Sequence, residues 1–463
     1  MLRILLLLLT TLALRADDKA DLLRNMDTGA AHYGDVSRQI WNFAETGFKE
    51  TKSAALLRSE LKAAGFTLAE NVGGMPTAFT ATWGHGQPVI GIMGEYDALP
   101  GLSQDVATER KPLAAGAPGH ACGHNLLGAA SLFAAIEVRR WMERNKIPGT
   151  LRYYGTPAEE GGGGKIYMIR AGAFKDVDVV LTWHPADNNA SNLGSSLAMI
   201  SGAFRFYGKA SHAAIAPEKG RSALDGLMIM TTAVEFLREH TPDFTRIHYV
   251  VTNGGAASNI VPEYAELQLT ARNPSMPVLD DIWERIQKCA QAGALASETR
   301  MEMEVSSSYW NELPNDALGA LLDRNLRRVG GFTYSPEEQA FAEKLPGIAA
   351  DLSSHEQIQP PMRETGLASS DAGDVSWVVP TGTFGTATFV PGIQPHTWQA
   401  AACAGSGIGR KGMVVAAKTL ALSAMDLFTD PAQVAAAKAS FEKRRAGYQY
   451  LSHIPANKAP IAH

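Results

Sequence analysis

"LAMISGAFRFYGKASHA", residues 197–213, is where the chain changes style, and its reading decides the fold. Before it, strand-like runs alternate with helical ones. "TAFTATWG" and "QPVIGIMGEYDALPG" read as strands joined by the glycine-rich turn "GHGQ", and residues 125–141 read as a helix. "GTLRYYGTPAEE" reads as a strand entering a loop, residues 165–171 as a short helix, and "VDVVLTWHP" as one buried strand. Such alternation predicts an α/β fold whose sheet is largely parallel, with helices on both faces. From residue 198 the order becomes strand, helix, strand, strand, helix, strand. The strands are "LAMISGAFRFYGKASHA", "FTRIHYVVTNGG", "AELQLTARNP" and "RMEMEVSSSYW", with helices at 221–240 and 277–294 between them. That is a small α+β, ferredoxin-like unit, complete in itself. Past residue 312 the earlier style resumes, ending in "GMVVAAKTLALSAMDLF". The expected organisation is therefore a discontinuous larger domain, 17–197 plus 309–445, with a smaller domain inserted at 198–308 and a loose tail at 446–463.

A chain of 463 residues buries ample core for two domains. Its net charge of -5 and the lack of a basic stripe argue against nucleic acid as a partner. The start, "MLRILLLLLTTLALRADD", places Arg3 before a short apolar run and a small-residue cleavage site. Residues 1–16 thus read as an export signal, with a periplasmic or secreted destination expected, because the apolar run falls short of the ~20 residues that span a bilayer. No later segment reads as a membrane span. Cys122, Cys289 and Cys403 are odd in number and widely spaced, so no disulfide framework is expected, although the Cys289–Cys403 pair stays open.

Four stretches offer metal-capable side chains where a strand ends or a helix begins. They carry Cys122 and His124 in "HACGHN", Glu159 and Glu160 in "TPAEEGGGG", His184 in "TWHP", and His396 in "PHTW". A lone loop histidine usually just finds a hydrogen bond. Equivalent topological positions are another matter, because ligands of parallel sheets collect outside the strands' carboxyl ends. Thiolate, imidazole and carboxylate together suit zinc, manganese or cobalt better than calcium or magnesium. Adjacent residues of an extended segment point different ways, so one of Glu159 and Glu160 can bind an ion while the other faces its water. A bound ion brings the pKa of water to about 7, within reach of a neighbouring carboxylate base. Two look-alikes fail. "GGGGK" has Glu159 where a phosphate loop needs glycine, and no strand precedes Gly407, Gly409 and Gly412, which spell GxGxxG.

Together with "YGKASHAA", "ASNIVPE" and "TAR", these motifs resemble, in order and over essentially the whole chain after residue 16, the M20 peptidase family in its amidohydrolase branch. The resemblance implies a metallohydrolase domain with an inserted lid that dimerises, either as a homodimer or with a second related subunit. It implies two divalent ions, zinc, manganese or cobalt. Cys122 bridges them, His124 and His184 hold one, and Glu160 and His396 hold the other. Glu159 is the general base, and His212, lent by a partner subunit, stabilises the oxyanion. Asn259 and Arg272 hold the carboxylate of an amide substrate. Asp97 orients His124, with Glu95 standing where other branches have a histidine ligand. The implied reaction is hydrolysis of an N-acyl, aminoacyl or aminobenzoyl amino acid, with glutamate conjugates first. A dipeptidase or aminoacylase of the same fold, a cysteine hydrolase using Cys122, and a non-catalytic binder of small acids are the alternatives.

Overall fold

The structure, a computed structural model, describes residues 2–460, with side chains from residue 18 onward. The export-signal expectation for residues 1–16 falls outside the residues whose side chains are described. The first helix, α1 (Leu2–Phe43), buries Leu22, Met26, Tyr33, Val36 and Ile40, the three-and-four spacing of a single apolar stripe. α2 (Thr51–Ala63) does the same with Ala54, Leu57 and Leu61. Then come β1 (Thr67–Glu70), β2 (Phe79–His85) and β3 (Val89–Gly94), followed by α3 (His124–Asn145), β4 (Gly149–Gly155) and α4 (Gly164–Arg170). Three short strands follow: β5 (Val179–Leu181), β6 (His184–Ala186) and β7 (Ala190–Asn192). After the second sheet, α7 (Asp316–Val329) and β12 (Thr381–Ala387) complete the first.

The main sheet runs β1-β2-β4-β3-β5-β12-β6, with β7 also on β12. β4, β3, β5, β12 and β6 are mutually parallel, while β1, β2 and β7 pair antiparallel. The mixed α/β fold with a largely parallel centre is as expected, but two details differ. β2 and β3 are consecutive yet not neighbours, because β4 lies between them. The buried strand expected over "VDVVLTWHP" breaks at Thr182–Trp183, although both halves keep one register along β12 (Val180 opposite Thr381, His184 opposite Gly385). That break carries His184 to the sheet's functional edge.

The second sheet is antiparallel throughout, in the order β11-β8-β10-β9. It comprises β8 (Ala198–Tyr207), β9 (Arg246–Asn253), β10 (Tyr264–Asn273) and β11 (Arg300–Tyr309), covered by α5 (Ala223–Arg238) and α6 (Met276–Ala296). Among the described residues those after Arg445 form no helix or strand, yet they are not loose. The Tyr450 hydroxyl donates to Asp374 (2.8 Å) and the Trp310 indole donates to the Leu451 carbonyl (3.0 Å). All three cysteines are free, which closes the Cys289–Cys403 question.

Among the described residues one helix, Gly407–Thr429, is long and apolar enough to cross a membrane, contrary to the sequence reading, but it is buried in the core. Its glycines serve packing: a Cβ at Gly412 would lie 2.2 Å from the Ala387 carbonyl oxygen of β12. Helix α3 is buried on nearly all sides, and at Gly128 it passes the Glu95 carbonyl so closely that a Cβ would sit 2.6 Å from that oxygen. This contact sets the distance between the start of α3 and the end of β3.

The lysine of "GGGGK" is fully buried. Lys165 Nζ lies 2.7 Å from Glu95 and 2.5 Å from Asp371. Lys165→Met is expected to cost about 3–5 kcal/mol in a denaturant titration, since it strands two buried carboxylates. An unchanged midpoint would show that the ion pairs are dispensable. Gly128→Ala is expected to cost about 1–3 kcal/mol through overpacking against the Glu95 backbone. A thermal melt matching wild type would remove the close-approach argument.

Candidate metal centre

Parallel strands β3, β4, β5 and β12 of the main sheet each lead, beyond their carboxyl ends, to a metal-capable residue. β3 leads into Glu95 and Asp97, and β4 into Glu159 and Glu160. His184 opens β6, and the chain leaving β12 reaches His396, whose backbone N–H donates to the Ala121 carbonyl (2.9 Å). Cys122 and His124 enter from the start of α3. Gly123 between them is left-handed (φ 82°), and a Cβ there would press on Pro185 at 2.9 Å. Ala158 (φ 58°) and His396 (φ 62°) hold the same unfavourable region without being glycine. Such strain concentrates where surrounding bonds fix a site. At Ala158 one such bond is its N–H to Glu50 Oε1 (2.8 Å).

The side chains gather as two triads sharing one thiol. Cys122, His124 and His184 offer ligand atoms within 4.8 Å of one another, and so do Cys122, Glu160 and His396. Cys122 Sγ lies 3.4 Å from His184 Nε2, and His396 Nε2 lies 3.4 Å from Glu160 Oε1. The far ring nitrogens are occupied. His184 Nδ1 donates to the Pro185 carbonyl (2.8 Å), and His124 Nδ1 donates to Asp97 Oδ1 (3.0 Å). With Nδ1 engaged in each ring, both Nε2 atoms are turned toward the cluster. Asp97 Oδ2 also accepts the Glu160 backbone N–H (2.9 Å), so one buried carboxylate fixes a residue of each triad.

A third triad was not anticipated. Glu95, His124 and Glu159 also lie within 4.8 Å, with Glu95 Oε2 3.2 Å from His124 Nε2. Glu95 follows β3 two residues before Asp97, on the same alternation, and that spacing was the available signal. Three buried atoms here have no hydrogen-bond partner: Glu95 Oε2, His124 Nε2 and Glu160 Oε1. An orphaned buried acceptor costs about 1–3 kcal/mol. Three of them converging with a thiol supply the donor set of a cation site, so the residues fit divalent metal.

The charges agree. Burial alone would raise Glu95, but Lys165, His124 and His184 hold it below the usual carboxylate range. Burial would lower His124, and Cys122, Asp97 and Glu95 instead raise it well above an ordinary histidine. Glu159 is pushed well up by burial, and by Glu95 and Glu160 beside it. All the triads border a cavity of about 970 Å³.

The remaining residues separate. Arg272, near the end of β10, donates to Ser369 Oγ (2.9 Å), and Ser369 lines that cavity. Asn259 does not join it. It lies beyond the other end of β10, roughly 26 Å away along the strand at ~3.3 Å per residue from Tyr264 to Arg272. There it pairs with the His212 segment, its carbonyl accepting the Ala213 N–H (2.9 Å). His212 is exposed, with Nδ1 accepting the Ala214 and Ile215 N–H groups, both at 3.2 Å. Asn259 and Arg272 of one chain therefore cannot clamp a single carboxylate.

Residues 197–298 match the peptidase dimerisation domain of the M20 family. The chain is 39% identical to a subunit of p-aminobenzoyl-glutamate hydrolase from Escherichia coli (strain K12), over 92% of this chain and 95% of that one. It is 32% identical to the Xaa-Arg dipeptidase of Mus musculus, over 92% and 93%. Among solved structures, a dinuclear metal-binding peptidase of the M20 family from Bacillus subtilis shares the fold, with a TM-score of 0.62 at 16% identity, covering 87% of this chain and 99% of that one. Whole-length likeness at these identities, together with ligand triads sharing a cysteine, places the chain in the M20 family of metal-dependent hydrolases.

Proposed function

We propose that the chain hydrolyses the amide bond of an N-acyl, aminoacyl or aminobenzoyl amino acid, glutamate conjugates first, whose leaving half keeps a free carboxylate. The relatives whose names specify aminobenzoyl-glutamate and Xaa-Arg substrates support that class. The observation that carries the reading is the pair of triads sharing Cys122, with three orphaned acceptors at their junction. Cys122 would bridge two ions, zinc or manganese, with His124 and His184 on one and Glu160 and His396 on the other. When bound, such ions polarise a carbonyl and acidify water.

The chain's residues supply the rest. Glu159, raised in pKa and next to both triads, takes the proton of the attacking water and returns it to the leaving nitrogen. Asp97 keeps His124 in the tautomer that presents Nε2. Arg272 reaches the cavity edge, where a guanidinium grips a carboxylate by its two N–H groups. His212 and Asn259, distant from their own chain's cavity but side by side, act in the site of a second copy, where the imidazole faces the oxyanion. Strand β9 is a sheet edge exposing Tyr249, Val250 and Val251, a surface suited to pairing with another chain. That chain is a copy of this one or a related subunit. Residues 1–16 support export. Burial pushes the Cys122 thiol up, the opposite of what a cysteine nucleophile needs.

Two measurements test this. Treatment with 1,10-phenanthroline is expected to abolish hydrolysis of N-acyl glutamates, and manganese or zinc to restore it. Activity that survives complete metal removal would refute the metal reading. Glu159→Gln is expected to lower kcat by about 10²–10⁴-fold with metal content unchanged. Near-normal turnover in that variant would reassign the base.

A further inference from the structure

One carboxylate in the cavity belongs neither to the triads nor to the buried lysine. Glu312 follows β11 on the segment returning from the second sheet, and it lines the cavity with Asn192 and Thr383. The backbone of this segment does the structural work. The Glu312 N–H donates to Ser196 Oγ (2.8 Å), and its carbonyl accepts from Ser195 Oγ (2.7 Å). The side chain does none of it. Its single bond among the described residues is from Asn192 Nδ2 to Oε2 (2.9 Å), and Oε1 accepts nothing. Asn192 is itself fixed, its Oδ1 accepting the Gly194 N–H (2.9 Å). No described Lys, Arg or His forms an ion pair with Glu312, whereas Glu95, on the same cavity wall, is neutralised by Lys165.

The sheet fixes where this carboxylate stands. His184 and Ala190 both lie opposite Gly385 of β12, and Asn192 lies opposite Thr383, two residues along. Residues paired across strands, and those two apart on one strand, share a face. His184 and Asn192 therefore open onto the same cavity, with Cα atoms roughly 12 Å apart, from two strand spacings of ~4.8 Å and two rises of ~3.3 Å. With the side chains reaching inward, that interval fits one aromatic or short aliphatic acyl group. Arg272 borders the cavity through Ser369, at a separate point of the wall.

We propose that Glu312, held by Asn192, is a specificity-determining subsite for an amino group at the far end of the substrate's acyl half. The proposal rests on the amide-hydrolase reading above and narrows it: the preferred acyl group carries an N–H donor, neutral or cationic, and a purely apolar acyl group of the same shape binds less well. Burial and the charge of Glu95 push the Glu312 carboxyl up to about 7, so a donor restores what the site otherwise lacks. A pocket built to accept a hydrogen bond from the substrate rejects the isostere that cannot donate one.

The test compares 4-aminobenzoyl-glutamate with 4-methylbenzoyl-glutamate, which differ by one amino-for-methyl exchange. Binding is measured by calorimetry on the manganese-equilibrated Glu159→Gln protein, so the result does not depend on turnover. The amino compound is expected to bind at least tenfold more tightly, and Glu312→Leu in the same background to erase that preference while changing methyl-compound affinity less than threefold. Equal affinities in the parent protein, or a preference that survives Glu312→Leu, would overturn the subsite. The parent comparison decides alone if the leucine variant does not fold. Failure of wild-type protein with metal to hydrolyse either compound would instead count against the hydrolase reading, separately from the binding result.

Discussion

Buried negative charge must be matched by positive charge, and that requirement organises the functional edge of this protein. The carboxylates of Glu95, Asp97 and Glu160 converge outside the ends of the parallel strands, with Glu159 and the Cys122 thiol beside them. The chain answers part of this charge itself. Lys165 is buried between Glu95 and Asp371, and His124 bonds to Asp97. It leaves the rest unmatched, as orphaned oxygen and nitrogen atoms aimed at common points. Isolated charges in a low-dielectric interior are too costly to persist without counterparts. The unmatched remainder is therefore a specification for cations, and the strained turns at Ala158 and His396 are tolerated because they aim the ligands.

The second sheet adds a different constraint. It is long relative to the cavity, and β10 separates its two candidate substrate contacts. Arg272 stays with its own chain's cavity, while His212 and Asn259 are carried to the far end. Matching of the inserted segment to a dimerisation domain gives this geometry its context.

Much of the architecture was legible in the sequence because it follows from local periodicity. The switch near residue 198 and the order of elements in the inserted unit are both patterns of neighbours along the chain. That these metal-capable residues gather was legible because parallel strands deliver their ends to one edge. Glu95 is not legible as a cluster member from the sequence, because it stands where the resemblance places a histidine ligand and its approach to His124 and Glu159 is tertiary. Lys165 read as a failed phosphate loop, since nothing local shows that Glu95 and Asp371 close around it. Glu312 gave no signal, because its surroundings come from β7 and β12, far away in sequence.

The sequence by itself determined the elements, the type of chemistry and the donor set, because hydrophobic period, turn residues and ligand identity are properties of short segments. Tertiary structure alone decided that β4 separates β2 from β3, that Lys165 neutralises Glu95, that Asn259 and Arg272 part company, and that Glu312 faces the cavity. The reason is physical. Strand order and burial arise from packing between segments distant in the chain, and charge balance in a buried site is settled only when those segments meet.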